Sequence, residues 1–308
     1  MARIAHVSDP HLAPLPRPTL PELAGKRLSG YLSWTLKRRN IHLRTVLDLI
    51  VADVKRARPD HVALTGDLIN ISLTAEYVQA RAWLDDFGSP DWITLAPGNH
   101  DTYVDVPWEF GPGLWQDYFA SEPHRRETRE TLASYFPLVR FRKTLAIIAV
   151  STAVPTAVGV AAGRLGTEQL ERLARVLGEL RQRGFYRLLL IHHPPLRRLA
   201  PARKELLDGD RLRAVLESEG AELVVYGHNH LHQRAEIASA HGPVHMIGIP
   251  SASQIEHHGC TAAWNLYEVK RQGGTWTTDV TTRSFDPQSR SIVTSAQYQF
   301  AHRPEDAR

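Results

Sequence analysis

The chain has 308 residues, 43% hydrophobic and 23% charged, ordinary values for one large folded domain or two modest ones. Its single cysteine, Cys260, excludes an internal disulfide framework and favours a reducing compartment, so a cytoplasmic location is expected. A formal net charge of +4 permits an anionic small molecule, a nucleic acid or an anionic membrane and selects none of them. Arg3 is followed by only a short apolar stretch before Ser8 and Asp9, unlike a secretory signal, and no run of about 18 apolar residues spans a bilayer.

Short β-like runs alternate with amphipathic helices. Ile4 to Val7 reads as a first strand ending at Ser8 and Asp9. Leu43, Val46, Leu47, Ile50, Val51 and Val54 recur at helical spacing, and Pro59 closes that segment. His61 to Leu64 is a second strand, running into Gly66 and Asp67. Ala75 to Phe87 is a helix stopped by Gly88. Trp92 to Leu95 is a third strand, before Pro97, Gly98, Asn99 and His100, and Leu145 to Val150 is a fourth. Thr167 is the expected N-cap of a helix with Leu170, Leu173, Ala174 and Leu177 inside. Leu188 to Ile191 runs into His192 and His193. Leu212, Val215 and Leu216 mark another helix, and Leu223 to Tyr226 leads to Gly227 and His228. Three β-like runs follow: 244–249, 264–269 and 275–282. The order predicts an α/β domain over residues 1–286 whose strands deliver polar residues at their carboxyl ends. Two long connections, 12–40 and 103–137, are candidate lids, and 287–308 is expected to be a peripheral tail.

Five local motifs stand at strand ends: Asp9-Pro10-His11, Gly66-Asp67, Gly98-Asn99-His100-Asp101, His192-His193-Pro194 and Gly227-His228-Asn229-His230. Singly, each residue type is more often a cap, a turn or a hydrogen-bonded histidine than a ligand. Together, Asp9, His11, Asp67, Asn99, His192, His228 and His230 are seven donors, too many for one tetrahedral ion and suited to two ions sharing a carboxylate. Carboxylate, amide oxygen and imidazole suit Mn, Fe, Zn, Co or Ni better than Ca. His193 is expected to face away from the site as a supporting residue. His257 and His258 fit a rim or a surface pair.

These motifs, in this order, resemble the calcineurin-like metallophosphoesterase family. The resemblance implies a four-layered fold, a central β-sandwich flanked by α-helices, and two divalent or mixed-valence ions, with Mn or Fe favoured. It also implies that Asp9, His11, Asp67 and His230 hold one ion and Asp67, Asn99, His192 and His228 the other. His100 would contact the phosphoryl group and protonate the leaving oxygen, with Asp101 orienting it. The reaction implied is attack on phosphorus by a hydroxide bridging the ions, with no covalent intermediate.

His6 to His11 and His192 to Pro195 most resemble the bacterial branch that includes cyclic-nucleotide and glycerophosphodiester phosphodiesterases, so a phosphodiester is the expected substrate. Gly25 to Asn40 is basic and amphipathic, with Leu32, Trp34, Arg38 and Arg39 as candidate membrane or lid contacts. That pattern is similar to metallophosphoesterases that cleave UDP-2,3-diacylglucosamine, a pyrophosphate with acyl chains. A nuclease is a further alternative, although the chain carries no recognised nucleic-acid module.

Overall fold

The computed structural model describes residues 1–121 and 131–303. Residues 122–130 of the expected second lid and 304–308 of the expected tail lie outside the described residues. The strands are β1 (Ala2–Val7), β2 (His61–Leu64), β3 (Ile93–Leu95), β4 (Leu138–Arg142), β5 (Leu145–Ala149), β6 (Tyr186–Leu190), β7 (Leu223–Tyr226), β8 (Gln233–Ser239), β9 (Gly242–Gly248), β10 (Ala263–Gln272), β11 (Thr275–Asp286) and β12 (Ser291–His302). The helices are α1 (Lys26–Leu36), α2 (Arg44–Ala57), α3 (Thr74–Phe87), α4 (Thr167–Gln182) and α5 (Gly209–Glu219).

Among the described residues these strands form two six-stranded sheets. One has the order β12-β11-β10-β1-β2-β3 and the other β4-β5-β6-β7-β9-β8. The strands nearest the site are parallel, β1 with β2 and β3 in one sheet and β5 with β6, β7 and β9 in the other, so their carboxyl ends point the same way within each sheet. Period-two alternation assigns the faces of the second sheet. Leu145, Ile147, Leu188, Leu190, Leu223 and Val225 join the core between the sheets. Ala146, Ile148, Leu189, Val224 and Tyr226 turn outward and pack with Leu170, Leu173, Leu177, Leu212 and Leu216 of α4 and α5. Across the sandwich, Tyr186 meets β11 through a hydrogen bond with Thr278 (2.8 Å) and edge contact with Trp276. The α2 residue Asp53 accepts hydrogen bonds from Trp264 and Arg283 and ties that helix to the first sheet. The four-layered α/β sandwich is therefore present.

Several expectations change. Residues 291–302, expected in the tail, form the twelve-residue edge strand β12 paired with β11 along its length. Its side chains are largely exposed on both faces, so it lacks the hydrophobic alternation by which strands are recognised. Thr167 is the first helical residue rather than the cap. The α4 start is held instead by the Asp208 carboxylate, which accepts the N–H groups of Leu165 and Gly166. In the segment 103–137, Trp115, Tyr118 and Phe119 are fully buried and Trp115 donates to Tyr77 O, so this part is a fixed wall of the core.

A candidate dinuclear metal centre

All seven expected donors converge where the two sheets present their carboxyl ends. Asp9 and His11 follow β1, Asp67 follows β2, Asn99 follows β3, His192 follows β6, and His228 and His230 follow β7. Five of them, Asp9, His11, Asp67, His228 and His230, have positive φ between 39° and 68°. A non-glycine residue there costs of order 1–3 kcal/mol, a strain typical of functional sites. Here it is over-determined by a short backbone ladder, Asp9 N–H to Gly66 O, His11 N–H to Asp67 O and Leu12 N–H to Leu68 O (2.8–3.0 Å). Gly227 and Gly98 are required by close approach. A Cβ at Gly227 would lie 1.8 Å from Ser8 Oγ and 2.2 Å from Asp9 Oδ2, and one at Gly98 would lie 2.2 Å from Asp67 Oδ1.

The donors form two groups that meet at one oxygen. In the first, Asp9 Oδ1 is 3.1 Å from His230 Nε2, which is 3.2 Å from His11 Nε2. In the second, His192 Nε2 is 3.2 Å from both Asn99 Oδ1 and His228 Nδ1. Asp67 Oδ2 lies between them, 3.8 Å from His11 Nε2 and 3.3 Å from His192 Nε2. Its other oxygen, Oδ1, accepts the His100 backbone N–H at 2.7 Å. Asp9 is fixed similarly: Oδ2 accepts the Ser8 hydroxyl and the His228 N–H, which leaves Oδ1 inward.

The imidazoles show which nitrogen is free. His192 Nδ1 donates to Thr65 O (2.8 Å), His11 Nδ1 to Ile69 O (3.2 Å) and His228 Nε2 to Lys204 O (3.1 Å). Each opposite nitrogen then turns a lone pair inward. Lone pairs 3.2 Å apart repel unless a cation or a proton lies between them. The two carboxylates are buried, and their ion-pair partners are these histidines. Burial opposes ionisation of Asp67, but His192 and His100 outweigh it and hold its carboxyl well below the usual range. Burial holds His11 and His228 well below 6.5. It also opposes charge on His192, but Asp67 overrides it and lifts this imidazole to about 9, so without an ion a proton occupies the His192 Nε2 position that faces Asp67, and a bound cation would take that proton's place. A buried anionic pocket lined by inward lone pairs fits divalent ions, and its mixture of carboxylate, amide and imidazole donors fits first-row metals.

His100 lines the cavity of the site, whereas Asp101 is placed differently from expectation. His100 Nδ1 lies 2.5 Å from Asn70 O, and its ring stacks on Tyr103 at 5.5 Å and 6°. The Asp101 carboxylate instead accepts the backbone N–H groups of Asp67 (2.9 Å), Leu68 (2.8 Å) and Gly98 (2.8 Å). Asp101 thus fixes the turns carrying Asp67 and Asn99, while the Asn70 carbonyl and Tyr103 orient His100. His193, expected to face away from the site, is buried against Thr152 and Ala161 but its ring lies 4.4 Å from that of His228, so it packs against the donor group.

The segment 12–40 covers one side of the site. Arg27 donates to the carbonyls of Ile71 and Ser72, and the Lys26 ammonium sits 4.2 Å from the Tyr103 ring centre. Trp34 is buried, so it is unavailable to a membrane interface, whereas Leu28, Leu32, Leu36 and Arg39 face solvent. The Arg38 guanidinium lies against the His11 ring, 2.8 and 3.0 Å from its nitrogens, and 3.4 Å from those of His100. A cavity of about 440 Å³ opens here, lined by Asp67, Asn99, His100, His228 and His230 together with Lys37, Arg38, Arg203 and Lys204; His257 and His258 are also in its lining. Lys204 and His42 were not among the residues expected from sequence. Neither carries a local motif: Lys204 sits in a 3-10 turn and His42 just before α2.

A family model described as calcineurin-like phosphoesterase matches residues 2–232. The chain belongs to this family, and it is a dinuclear-metal phosphoester hydrolase. Among particular relatives, it is 27% identical over 230 residues to a probable cyclic nucleotide phosphodiesterase of Synechococcus sp., covering 73% of this chain and 77% of that one. Its fold is similar to a dimetal phosphatase from Danio rerio (TM-score 0.62, 15% identity, 95% of this chain and 98% of that one). It is also similar to the purple acid phosphatase PPD1 of yellow lupin seeds (TM-score 0.60, 14% identity, 99% of this chain and 54% of that one).

Proposed function

We propose that the protein is a phosphodiesterase in which Asp9, His11, Asp67 and His230 hold one ion and Asp67, Asn99, His192 and His228 hold the other. The observation that carries this reading is the position of Asp67 Oδ2 between the two donor groups. When bound, such a pair ionises water near neutral pH and supplies positive charge to phosphoryl oxygens. Mn or Fe is favoured, since oxygen and imidazole donors accept either.

The side chains around the pair divide the remaining work. Arg38, half-buried beside His11 and His100, is placed to neutralise a non-bridging phosphoryl oxygen. His100 gives its Nδ1–H to Asn70, so donating a proton to the leaving oxygen requires the doubly protonated ring. Burial and Arg38 hold the imidazole at about 3, so the substrate's own negative charge has to favour that form. His100 therefore acts as an acid only with substrate in place.

The substrate class is a cyclic-nucleotide or glycerophosphodiester type. The name of the Synechococcus relative supports the cyclic-nucleotide type, and a cationic cavity within the size range of small-molecule sites suits either. A second reading, a pyrophosphate-linked lipid precursor met at a membrane surface, is favoured by the exposed row Leu28, Leu32 and Leu36 at successive helical turns of α1. No helix of the described residues is long and apolar enough to cross a membrane. The proposed location is cytoplasmic.

The test is a substrate panel with Mn²⁺: bis-p-nitrophenyl phosphate, p-nitrophenyl phosphate, cyclic AMP, UDP-diacylglucosamine and single-stranded DNA. Diesters turned over at least about tenfold faster than the monoester are expected, a difference of about 1.4 kcal/mol in barrier. Hydrolysis of UDP-diacylglucosamine alone would select the second reading, and degradation of DNA alone would make the protein a nuclease.

A further inference from the structure

His42 is buried, lines the catalytic cavity and belongs to none of the five strand-end motifs. Its ring centre lies 4.5 Å from that of His11 and 5.4 Å from that of His230. One ring nitrogen from each of these three residues lies within 4.8 Å of the others. Two nitrogens on opposite sides of one ion are about 4.2 Å apart at bond lengths of about 2.1 Å, so a small adjustment suffices.

The backbone holds His42 there independently of α1. Leu43 N–H donates to Ser253 O (2.8 Å) and Ile255 N–H to Ile41 O (2.9 Å), which pairs 41–43 with the turn after β9. A chain of hydroxyls permits the tautomer that a ligand needs. Ser251 Oγ donates to Asp9 O (2.6 Å), so it is free to accept from Ser253 Oγ (3.2 Å). Ser253 Oγ, 2.9 Å from His42 Nδ1, is then able to accept an Nδ1–H. His42 Nε2 is then left unprotonated with its lone pair available. This is the arrangement seen at His11, His192 and His228, where the outer nitrogen is spent on a fixed acceptor.

We propose that His42 is a fifth protein ligand of the ion held by Asp9, His11, Asp67 and His230. The inference rests on the two-ion reading above. It makes the two sites unequal: the first gains a third imidazole, and the second keeps Asn99 as its neutral oxygen donor. It also ties the segment 12–42 to the metal centre, so that ion binding and ordering of the α1 cover are coupled.

The test uses the full chain, stripped with a chelator and reloaded with Co²⁺. Wild type is expected to bind two ions and to show five hyperfine-shifted exchangeable imidazole signals by proton NMR, from His11, His42, His192, His228 and His230. In His42→Ala and His42→Gln, one signal disappears and one of the two binding steps weakens at least tenfold, while the other is unchanged. Ser253→Ala, which frees the tautomer, should weaken the same step by less. Four signals in wild type, with two ions bound, would overturn the ligand assignment and leave the dinuclear centre intact. Unchanged affinities in both His42 variants would do the same. Three ions in wild type, one of them lost in His42→Ala, would overturn it in favour of a separate site. Fewer than two ions in wild type would overturn the two-ion reading itself, and the His42 assignment with it.

Discussion

Replacing Asp101 separates two accounts of one carboxylate. If it only orients His100, Asp101→Ala slows the reaction and leaves the fold untouched. The structure gives it a different task, because its oxygens accept three buried backbone N–H groups within 2.9 Å, those of Asp67, Leu68 and Gly98. Each buried N–H left without a partner costs about 1–3 kcal/mol. Three of them, with some relief from entering water, come to about 3–6 kcal/mol, a large share of the 5–15 kcal/mol that typically separates folded from unfolded. At about 2 °C per kcal/mol for a chain this large, the melting temperature should fall by about 6 °C or more. Asp101→Asn should fall between alanine and wild type, because its amide group presents N–H to at least one backbone donor. The assay is thermal unfolding of the stripped protein, with metal content measured alongside. An Asp101→Ala protein that melts with wild type while losing turnover would refute the backbone-clamp account.

Three further outcomes are expected. Burial holds His6 down at about 3, so between pH 6.5 and 3 the unfolded chain takes up a proton that the folded chain refuses. Its contribution is complete above pH 6.5 and is lost as the pH falls; at pH 5 the loss is about 2 kcal/mol, from about 1.4 kcal/mol per unit. His6→Gln should therefore lose less stability than wild type between pH 7 and pH 5, and equal losses would contradict the assignment. Glu222 pairs with buried Arg187 at 2.7 Å, so Glu222→Ala leaves a buried guanidinium uncompensated and should cost about 3–5 kcal/mol by urea unfolding. Finally, if α1 meets a lipid surface, co-sedimentation with anionic vesicles should fall when Leu28, Leu32 and Leu36 become Ser; wild-type protein that ignores such vesicles removes that reading.

The strand ends were legible because each carries its donors in a short local motif beside a glycine or a proline, after a run of β-forming residues. Asp9, Asp67, Asn99, His192 and His228 all follow from that pattern, and so does the delivery of polar residues at strand carboxyl ends. Features that depend on distant pairing were not legible. β12 is an edge strand whose polar faces read as a tail. Asp101 sits beside His100 in sequence, yet the backbone N–H groups it accepts belong to turns brought together only by the fold. Arg38, read from sequence as a membrane or lid contact, and His42, not singled out there, reach the site from a long connection: Arg38 through the placement of α1 on Ile71, Ser72 and Tyr103, and His42 through pairing with residues 253–255. Trp34 reads as an interfacial anchor in sequence because amphipathicity does not say which partner the apolar face meets.

The central claim is that two ions share Asp67. Metal content of purified Mn²⁺-loaded protein, measured for wild type and for Asp67→Asn, tests it most directly. Wild type is expected to hold two ions per chain. Asp67→Asn, which removes the charge between both donor groups while keeping the shape, is expected to hold fewer than one and to lose diester hydrolysis. An Asp67→Asn protein that keeps two ions and wild-type turnover would contradict the account.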